Sequence, residues 1–344
     1  MSGFRLNIKT NYVDTSKPIK FTFDGKEYSG YEGDTLASAL LANGELVLAR
    51  SFKYHRPRGV YSAGSEEPSA LIQLGSGAHT EPNIRATTVP LFNNLVVTSQ
   101  NHFGPLEWDL MRINDFLSPF LGAGFYYKTF MWPKSFWEKI YEPIIRAAAG
   151  LGSLETKSDP SIYDKGYLHC DLLIIGAGSA GLVAAHEAAA NGLTVILCDE
   201  DFVLGGRLTS DEERIEGIAA ASWVRKKLEE IAKFKNVRIM SRTTIYGCFD
   251  HGIFGALERK TDHLSDDYGK PRQVLWRVYW KGWLELRPSV WSDFIKSLDN
   301  FEQNQNYLNA INGNTNIECF NEWVKEIKQH NYLHNHTRMW FASI

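Results

Sequence analysis

Cysteine is scarce in this 344-residue chain, and the first 169 residues contain none. The four present, Cys170, Cys198, Cys248 and Cys319, are far apart and form neither a CxxC motif nor a zinc-ligand spacing. That excludes a paired-cysteine zinc site and a dithiol redox centre, and no metal site is expected. Cys198 falls in an apolar strand pattern and reads as a buried free thiol. Long apolar runs are also missing: none reaches the ~18 residues of a membrane span. The longest candidate, 172–185, is broken by three glycines. The opening residues carry no apolar h-region of a signal peptide. These absences point to a cytoplasmic protein with no membrane segment and no disulfides. An excess of one charge is lacking too. The net charge of −3 gives no basic field for nucleic acid. Apolar content of 44% and charged content of 22% are those of an ordinary globular protein, with length for two or three domains. No catalytic acid, base or nucleophile can be singled out.

Within residues 1–100 the pattern predicts a β-grasp domain. Asp24-Gly25 sits between alternating apolar residues over 19–30, a hairpin signal because the turn needs positive φ. Asp34 is expected to cap a helix over 36–41 that stops near Gly44, and 46–49 returns as a strand. This element order is that of plant-type ferredoxins, whose [2Fe–2S] cluster needs four thiolates. With no cysteine before Cys170, the domain is expected to be ferredoxin-like but cluster-free, serving packing or subunit contact. In the loop 53–59, Arg56 and Arg58 suit an anion or a partner. Alternatively they pair with Glu66 and Glu67, and His55 is a satisfied loop histidine. Residues 101–168 form an aromatic-rich, partly helical connector. It lacks the basic face of an interfacial membrane helix, which favours a core or a subunit interface.

The chemistry lies in a Rossmann unit over 170–206, within a dinucleotide-binding domain over 169–280. The strand 172–175 runs into Gly-Ala-Gly-Ser-Ala-Gly. Gly176 makes the tight turn, Gly178 lets the backbone approach a pyrophosphate, and Gly181 lets the helix pack on the strand. The N–H groups around Ser179 and Ala180 open the helix toward the phosphates. Asp199 ends the second strand, where a carboxylate accepts hydrogen bonds from ribose hydroxyls. Glu200 and Asp201 follow it, and an acid here disfavours a 2′-phosphate. Gly205, Gly206 and Arg207 add bare backbone and a cation near the cofactor. A helix is expected at about 219–233, then strands 237–240 and 243–246, with a backbone amide near Ile245 reading the adenine edge. The glycine loop alone does not separate NAD from FAD, because both carry adenosine diphosphate.

Residues 21–26 (FTFDGK), 33–44 (GDTLASALLANG), 50–59 (RSFKYHRPRG), 62–68 (SAGSEEP), the GAGSAG loop and 243–251 together resemble the alpha subunit of heterotetrameric sarcosine oxidase. The resemblance implies NAD in the Rossmann domain, contacted at Ala180, Asp199, Glu200, Asp201, Arg207 and Ile245. It also implies beta, gamma and delta partner subunits and oxidative demethylation of sarcosine to glycine. Oxygen would be reduced to peroxide, and the one-carbon unit passed to tetrahydrofolate. The sarcosine and folate sites are expected off this chain, and FAD mainly on the beta subunit. Two alternatives stand beside it: an FAD-binding subunit of an amine or opine dehydrogenase, or an inactive truncated remnant.

The resemblance stops near residue 279. The family's Ala-Thr-Gly loop, which closes the nucleotide site, is missing, so the Rossmann domain is expected to be incomplete. Residues 281–344 include a stretch, 300–344, that is rich in asparagine and shows no clear helical or strand period over most of its length. They are expected to be a divergent tail, either a frame-shifted sequence or a genuine small domain.

Overall fold

The computed structural model describes residues 4–6, 12–125, 130, 132–148, 152, 155–159, 161–261, 263–264, 271–280, 288–298, 304–330 and 333–341. The chain divides into two units, Met1–Trp280 and Lys281–Ile344.

The first unit begins with the hairpin expected from Asp24-Gly25. Strand β1 (Asp14–Phe23) pairs antiparallel with β2 (Lys26–Glu32), and both turn residues have positive φ. A helix follows over Leu36–Ala42. Its cap is Thr35 rather than Asp34: Thr35 Oγ1 accepts from the Ser38 amide at 3.0 Å. Asp34 is instead buried, taking the Tyr31 amide at 3.0 Å and the Arg5 guanidinium at 2.6 Å. The strand expected at 46–49 lies later and is shorter, as β3 (Ala49–Arg50), paired with β4 (Pro57–Arg58). Strands β5 (Leu71–Leu74), β6 (Glu81–Arg85) and β7 (Leu95–Ser99) complete a sheet of order β2-β1-β7-β5-β6. Only β1 and β7 run parallel in it. The helix packs its Leu36 and Leu40 on Phe21, Ile72 and Val97, giving the β-grasp core.

The long loop before β5 is organised by one buried carboxylate. Glu67 is 1% exposed. Its Oε2 accepts the amides of Tyr61 (2.6 Å) and Ser62 (2.7 Å), and its Oε1 those of Ser69 (2.6 Å) and Ala70 (3.0 Å). Charge-assisted bonds of this kind are stronger than neutral ones and repay the burial of the charge. Of the two readings of the 53–59 loop, the pairing of Arg56 with Glu66 or Glu67 does not form among the described residues. Arg56 reaches Asp115 at 2.6 Å instead, because Glu67 is already saturated by backbone donors.

Strands β8 (Tyr163–Cys170) and β9 (Leu172–Ile175) form one extended run shared between two sheets. In the first, β9 lies beside β10 (Val195–Cys198). A two-stranded hairpin, β11 (Arg214–Ile215) and β12 (Ile218–Ala219), leads into the helix Ala220–Ile231, and β13 (Val237–Met240) then joins β10. The order β13-β10-β9 is parallel throughout, as a Rossmann unit requires. Helices Ser179–Ala190 and Ala220–Ile231 cover it through Leu182, Trp223, Val224 and Ile231. In the second sheet, β14 (Thr243–Phe249), β15 (Ile253–Arg259) and β16 (Gln273–Trp280) form an antiparallel meander, and β16 pairs parallel with β8. Cys170, Ile196, Cys198, Met240, Ala256 and Val278 fill the core of these sheets. Among the described residues, β9 has no neighbour on its outer edge, where Ile175 is 59% exposed.

The second unit is helical: Pro288–Leu298, Gln305–Asn312, Glu318–His330 and Asn335–Phe341. This corrects the expectation of a periodless tail. Phe320, Val324 and Ile327 follow helical spacing, with Phe320 and Val324 buried, and Phe320 stacks on Phe341 at 4.8 Å. The asparagines work at helix ends. Asn304 accepts from the amides of Asn306 and Tyr307, and Asn321 exchanges hydrogen bonds with Thr315. Among the described residues no helix is long and apolar enough to cross a membrane.

Burial opposes the charge on Glu67, but its four backbone donors outweigh it and hold the carboxyl below the usual glutamate range. Its stabilisation is therefore full above the ordinary carboxyl value and is lost as pH falls through the depressed folded-state value. Urea unfolding should show Glu67→Gln losing about 2 kcal/mol or more at neutral pH. That deficit should shrink on acidification; a deficit independent of pH would refute this account of the loop.

Candidate functional site

The glycine loop lies where β9 meets the helix Ser179–Ala190. Gly176 has φ +101°, which a side chain rarely tolerates. A Cβ on Gly181 would lie 1.9 Å from the Gly176 carbonyl oxygen, so helix and turn touch only because this residue is glycine. Gly178 stands at the helix start, and no side chain caps that end. The first-turn amides from Ser179 onward thus open on a depression of ≈ 490 Å³ lined by Ile174, Ile175, Gly176, Gly178, Ser179, Ala180, Gly181 and Ala184. Uncapped N–H groups at a helix N-terminus attract a phosphate.

The end of β10 is tied to this loop. Asp199 Oδ2 accepts the Ala177 amide at 2.6 Å, and Oδ1 accepts the Asp201 amide at 2.8 Å. Each carboxylate oxygen retains capacity for a further hydrogen bond, so ribose hydroxyls remain possible partners. The Asp199 backbone also donates to the Met240 carbonyl (2.9 Å) and accepts from Thr243 N (2.7 Å). That places Ile245 two residues beyond a direct tie to Asp199, on β14. Its side chain packs on the core that holds Cys198 and Met240. Gly206 has φ +54°, and a Cβ there would be 3.4 Å from Gly178 Cα, so the second glycine pair borders the first loop. Arg207 follows it, exposed, with no side-chain partner among the described residues. The loop, Asp199, Gly206 and Ile245 are therefore brought together, with Glu200, Asp201 and Arg207 at the margin. These residues fit the adenosine diphosphate half of a dinucleotide.

Sequence reasoning missed the β-grasp contribution. Arg85 Nη1, from β6, lies 3.8 Å from Glu200 Oε1. On the same strand, Glu81 accepts from Arg259 and Arg272, each at 2.8 Å. Between these two ties lies a cleft of ≈ 990 Å³, floored by Ile84, Phe92, Leu257 and Leu275. The signal was not local: Arg259 is 178 residues from Glu81. The thiols add no chemistry, since burial pushes Cys170 up to about 11 and Cys198 up to about 12. Among the described residues no three His, Cys, Asp or Glu side chains gather to hold a metal.

Burial, with Asp199 and Glu200 alongside, pushes the Asp201 carboxyl up to about 7, against the pull of Arg85. The folded state thus holds a proton that the unfolded chain releases near the ordinary carboxyl value. Stability should fall as pH rises from about 4 to about 7 and then level off. Asp201→Asn removes this loss. Thermal melts should show it more stable than the parent protein above pH ~8 and indistinguishable near pH ~4; equal gains at both would disprove the assignment.

Residues 16–102 match the family of 2Fe-2S iron-sulfur cluster binding domains, and 171–233 match FAD dependent oxidoreductases. The residues present do not fit the cluster, because 16–102 contain no cysteine to ligate it. Among solved structures, L-proline dehydrogenase from P. horikoshii aligns at 19% identity with TM-score 0.44, covering 76% of this chain and 39% of that one. Sarcosine oxidase subunit alpha from Corynebacterium sp. is 33% identical over 272 residues, 77% of this chain and 23% of that protein. The Rhizobium meliloti sarcosine oxidase subunit alpha is 51% identical over 279 residues, 81% of this chain. The chain is thus a homologue of part of the sarcosine oxidase alpha subunits, and it spans 28% of the Rhizobium meliloti protein's length.

Proposed function

We propose that this chain is the dinucleotide-binding portion of a sarcosine-oxidase-type alpha subunit and that its nucleotide is NAD. One observation carries the reading: an uncapped helix N-terminus beside a turn that only glycine can make. Gly176, Gly178, Gly181 and Gly206 leave the backbone bare, and the amides of Ser179 and Ala180 take the pyrophosphate. Asp199 and Glu200 serve the ribose, Arg207 neutralises a phosphate, and the strand at Ile245 borders the adenine. The carboxylates of Asp199 and Glu200 repel a 2′-phosphate, which favours NAD over NADP. NAD when bound supplies a hydride acceptor. The complete complex would demethylate sarcosine oxidatively to glycine and pass the one-carbon unit to tetrahydrofolate. It would do so in the cytoplasm with beta, gamma and delta subunits, which carry the amine-oxidising residues. The match of 171–233 to FAD dependent oxidoreductases favours a second reading, FAD in the same cradle.

Calorimetric titration with NAD and, separately, FAD tests both. The informative variant is Gly178→Glu. A Cβ at Gly178 meets nothing within 4 Å and its φ is −72°, so the fold should survive. Its carboxylate would stand on the pyrophosphate path and lower affinity at least ~10-fold. Saturable NAD binding lost in this variant supports the proposal. Preference for FAD, with a yellow chromophore on purification, supports the second reading. Binding of neither would leave an inactive remnant.

A further inference from the structure

The acid run that ends β10 meets a cation from a different domain. Arg85 Nη1, on β6 of the β-grasp sheet, lies 3.8 Å from Glu200 Oε1. Among the described residues this is the one ion pair that Glu200 makes. At that distance the contact is electrostatic rather than a hydrogen bond, so the guanidinium sets the charge around the carboxylate and keeps N–H donors for another acceptor. The backbone that carries Arg85 is well fixed. Arg85 pairs with Leu71 in the β5–β6 ladder, and the Ala86 amide donates to the Ala70 carbonyl at 2.9 Å. The Arg85 carbonyl accepts both the amide and the hydroxyl of Thr88, each at 3.1 Å. The pair is nevertheless open to a ligand: the Arg85 and Glu200 side chains are 43% and 30% exposed. Both line the ≈ 990 Å³ cleft between the β-grasp sheet and the meander, together with Thr244 of β14.

The three acids at this corner differ in what meets their charge. Asp199 accepts the backbone amides of Ala177 and Asp201. Burial and its two neighbouring acids push the Asp201 carboxyl up, and Arg85 pulls it down. Glu200 has the guanidinium itself as its partner. A second guanidinium lining the cleft, that of Arg242, lies over the Phe202 ring at 5.4 Å. Arg85 is thus the cation that balances the exposed acid of the run. Take away the Glu200 carboxylate, and Arg85 becomes an unmasked planar fork at the same place. Such a fork matches the oxygens of a phosphate monoester.

We infer that Arg85 is a positioning residue of the nucleotide site, supplied by the β-grasp domain: it holds the Glu200 carboxylate for the 2′-hydroxyl of the adenosine ribose, and Glu200 in turn masks the guanidinium from a 2′-phosphate. The inference rests on the reading of the site as one for NAD. It adds a second domain to that site. It also makes selectivity a property of the Arg85–Glu200 pair rather than of the acids alone. The fixed backbone of β6 matters because a partner already in place costs little conformational freedom when the ribose arrives.

The test is calorimetric titration of NAD and of NADP into the full chain and four variants: Arg85→Gln, Arg85→Lys, Glu200→Gln and the double Arg85→Gln/Glu200→Gln. Each replacement keeps a long polar side chain at an accessible position, so circular dichroism should show all four folded. Arg85→Gln should bind NAD about 3- to 5-fold more weakly, the range of an accessible ion pair. Arg85→Lys should recover that loss, because the effect on Glu200 is one of charge. A merely structural arginine would leave nucleotide selectivity alone. Here Glu200→Gln should bind NADP at least ~10-fold more tightly than the parent, and the double variant should lose that gain. Unchanged NAD affinity in Arg85→Gln overturns the inference. So does an NADP gain that survives in the double variant, which would assign the phosphate to another cation such as Arg242. If the parent binds neither NAD nor NADP, the nucleotide reading fails and the inference falls with it. If the parent binds NAD and the variants match it, the inference alone fails.

Discussion

The geometry of the glycine loop depends on where the Asp199 carboxylate sits. Its two oxygens accept from Ala177 in the glycine turn and from Asp201 just beyond β10. Its backbone pairs with Met240 and Thr243 at the corner between β13 and β14. One residue therefore sets the height of the turn, the end of the second strand and the entry to the meander. A glycine turn with φ near +100° has little intrinsic rigidity. A charged acceptor 2.6 Å from the Ala177 amide supplies it. The helix amides then stay aimed at the depression without reorganisation when an anion arrives, and electrostatic recognition is strongest under that condition.

The same cluster joins the two halves of the first unit. Glu200 faces Arg85 of the β-grasp sheet, and Asp201 lies close enough to Gly64 that a Cβ there would sit 3.0 Å from its carboxylate. Three consecutive acids at the end of a buried strand repel one another, and the repulsion is relieved by one arginine and by a proton on Asp201. Any ligand that meets the proposed ribose end would therefore be coupled to the seat of the β-grasp domain. Changes at Arg85 and at the ribose site should not be independent, because both alter the same local charge balance.

The turn, its helix and the acid 23 residues after Gly176 were legible because they obey local rules: positive φ, helix-strand contact and strand length. The hairpin at Asp24-Gly25 was legible for the same reason. The cap at Thr35 was misplaced by one residue: both residue types cap helices, and the buried Asp34 carboxylate is instead taken up by Arg5, the Tyr31 amide and the Ser38 hydroxyl. The helices of 288–341 were obscured because asparagine lowers apparent periodicity while serving as the cap, as at Asn304. Glu67, Glu81 and Arg85 could not be read at all. Glu81 and Arg85 meet partners brought close only by the tertiary fold, and Glu67 binds amides of its own loop, whose turn no local sequence rule predicts.

A ferredoxin-like domain without thiolates raises the question of what replaces the cluster as an organising centre. Glu67 provides a physical answer for one loop. A cluster would be an anion wrapped by backbone amides, and so is this carboxylate, with four amides within 3.0 Å. The carboxylate keeps this loop ordered and has no accessible redox state of its own. What remains for the domain is contact. Its edge strand β6 binds the meander through Glu81 and the nucleotide strand's end through Arg85, while its connector presents aromatic side chains outward. Without thiolates to hold a cluster, and packed around a buried Arg50, His55 and Asp109, the domain is under physical constraint at its surfaces rather than at a metal.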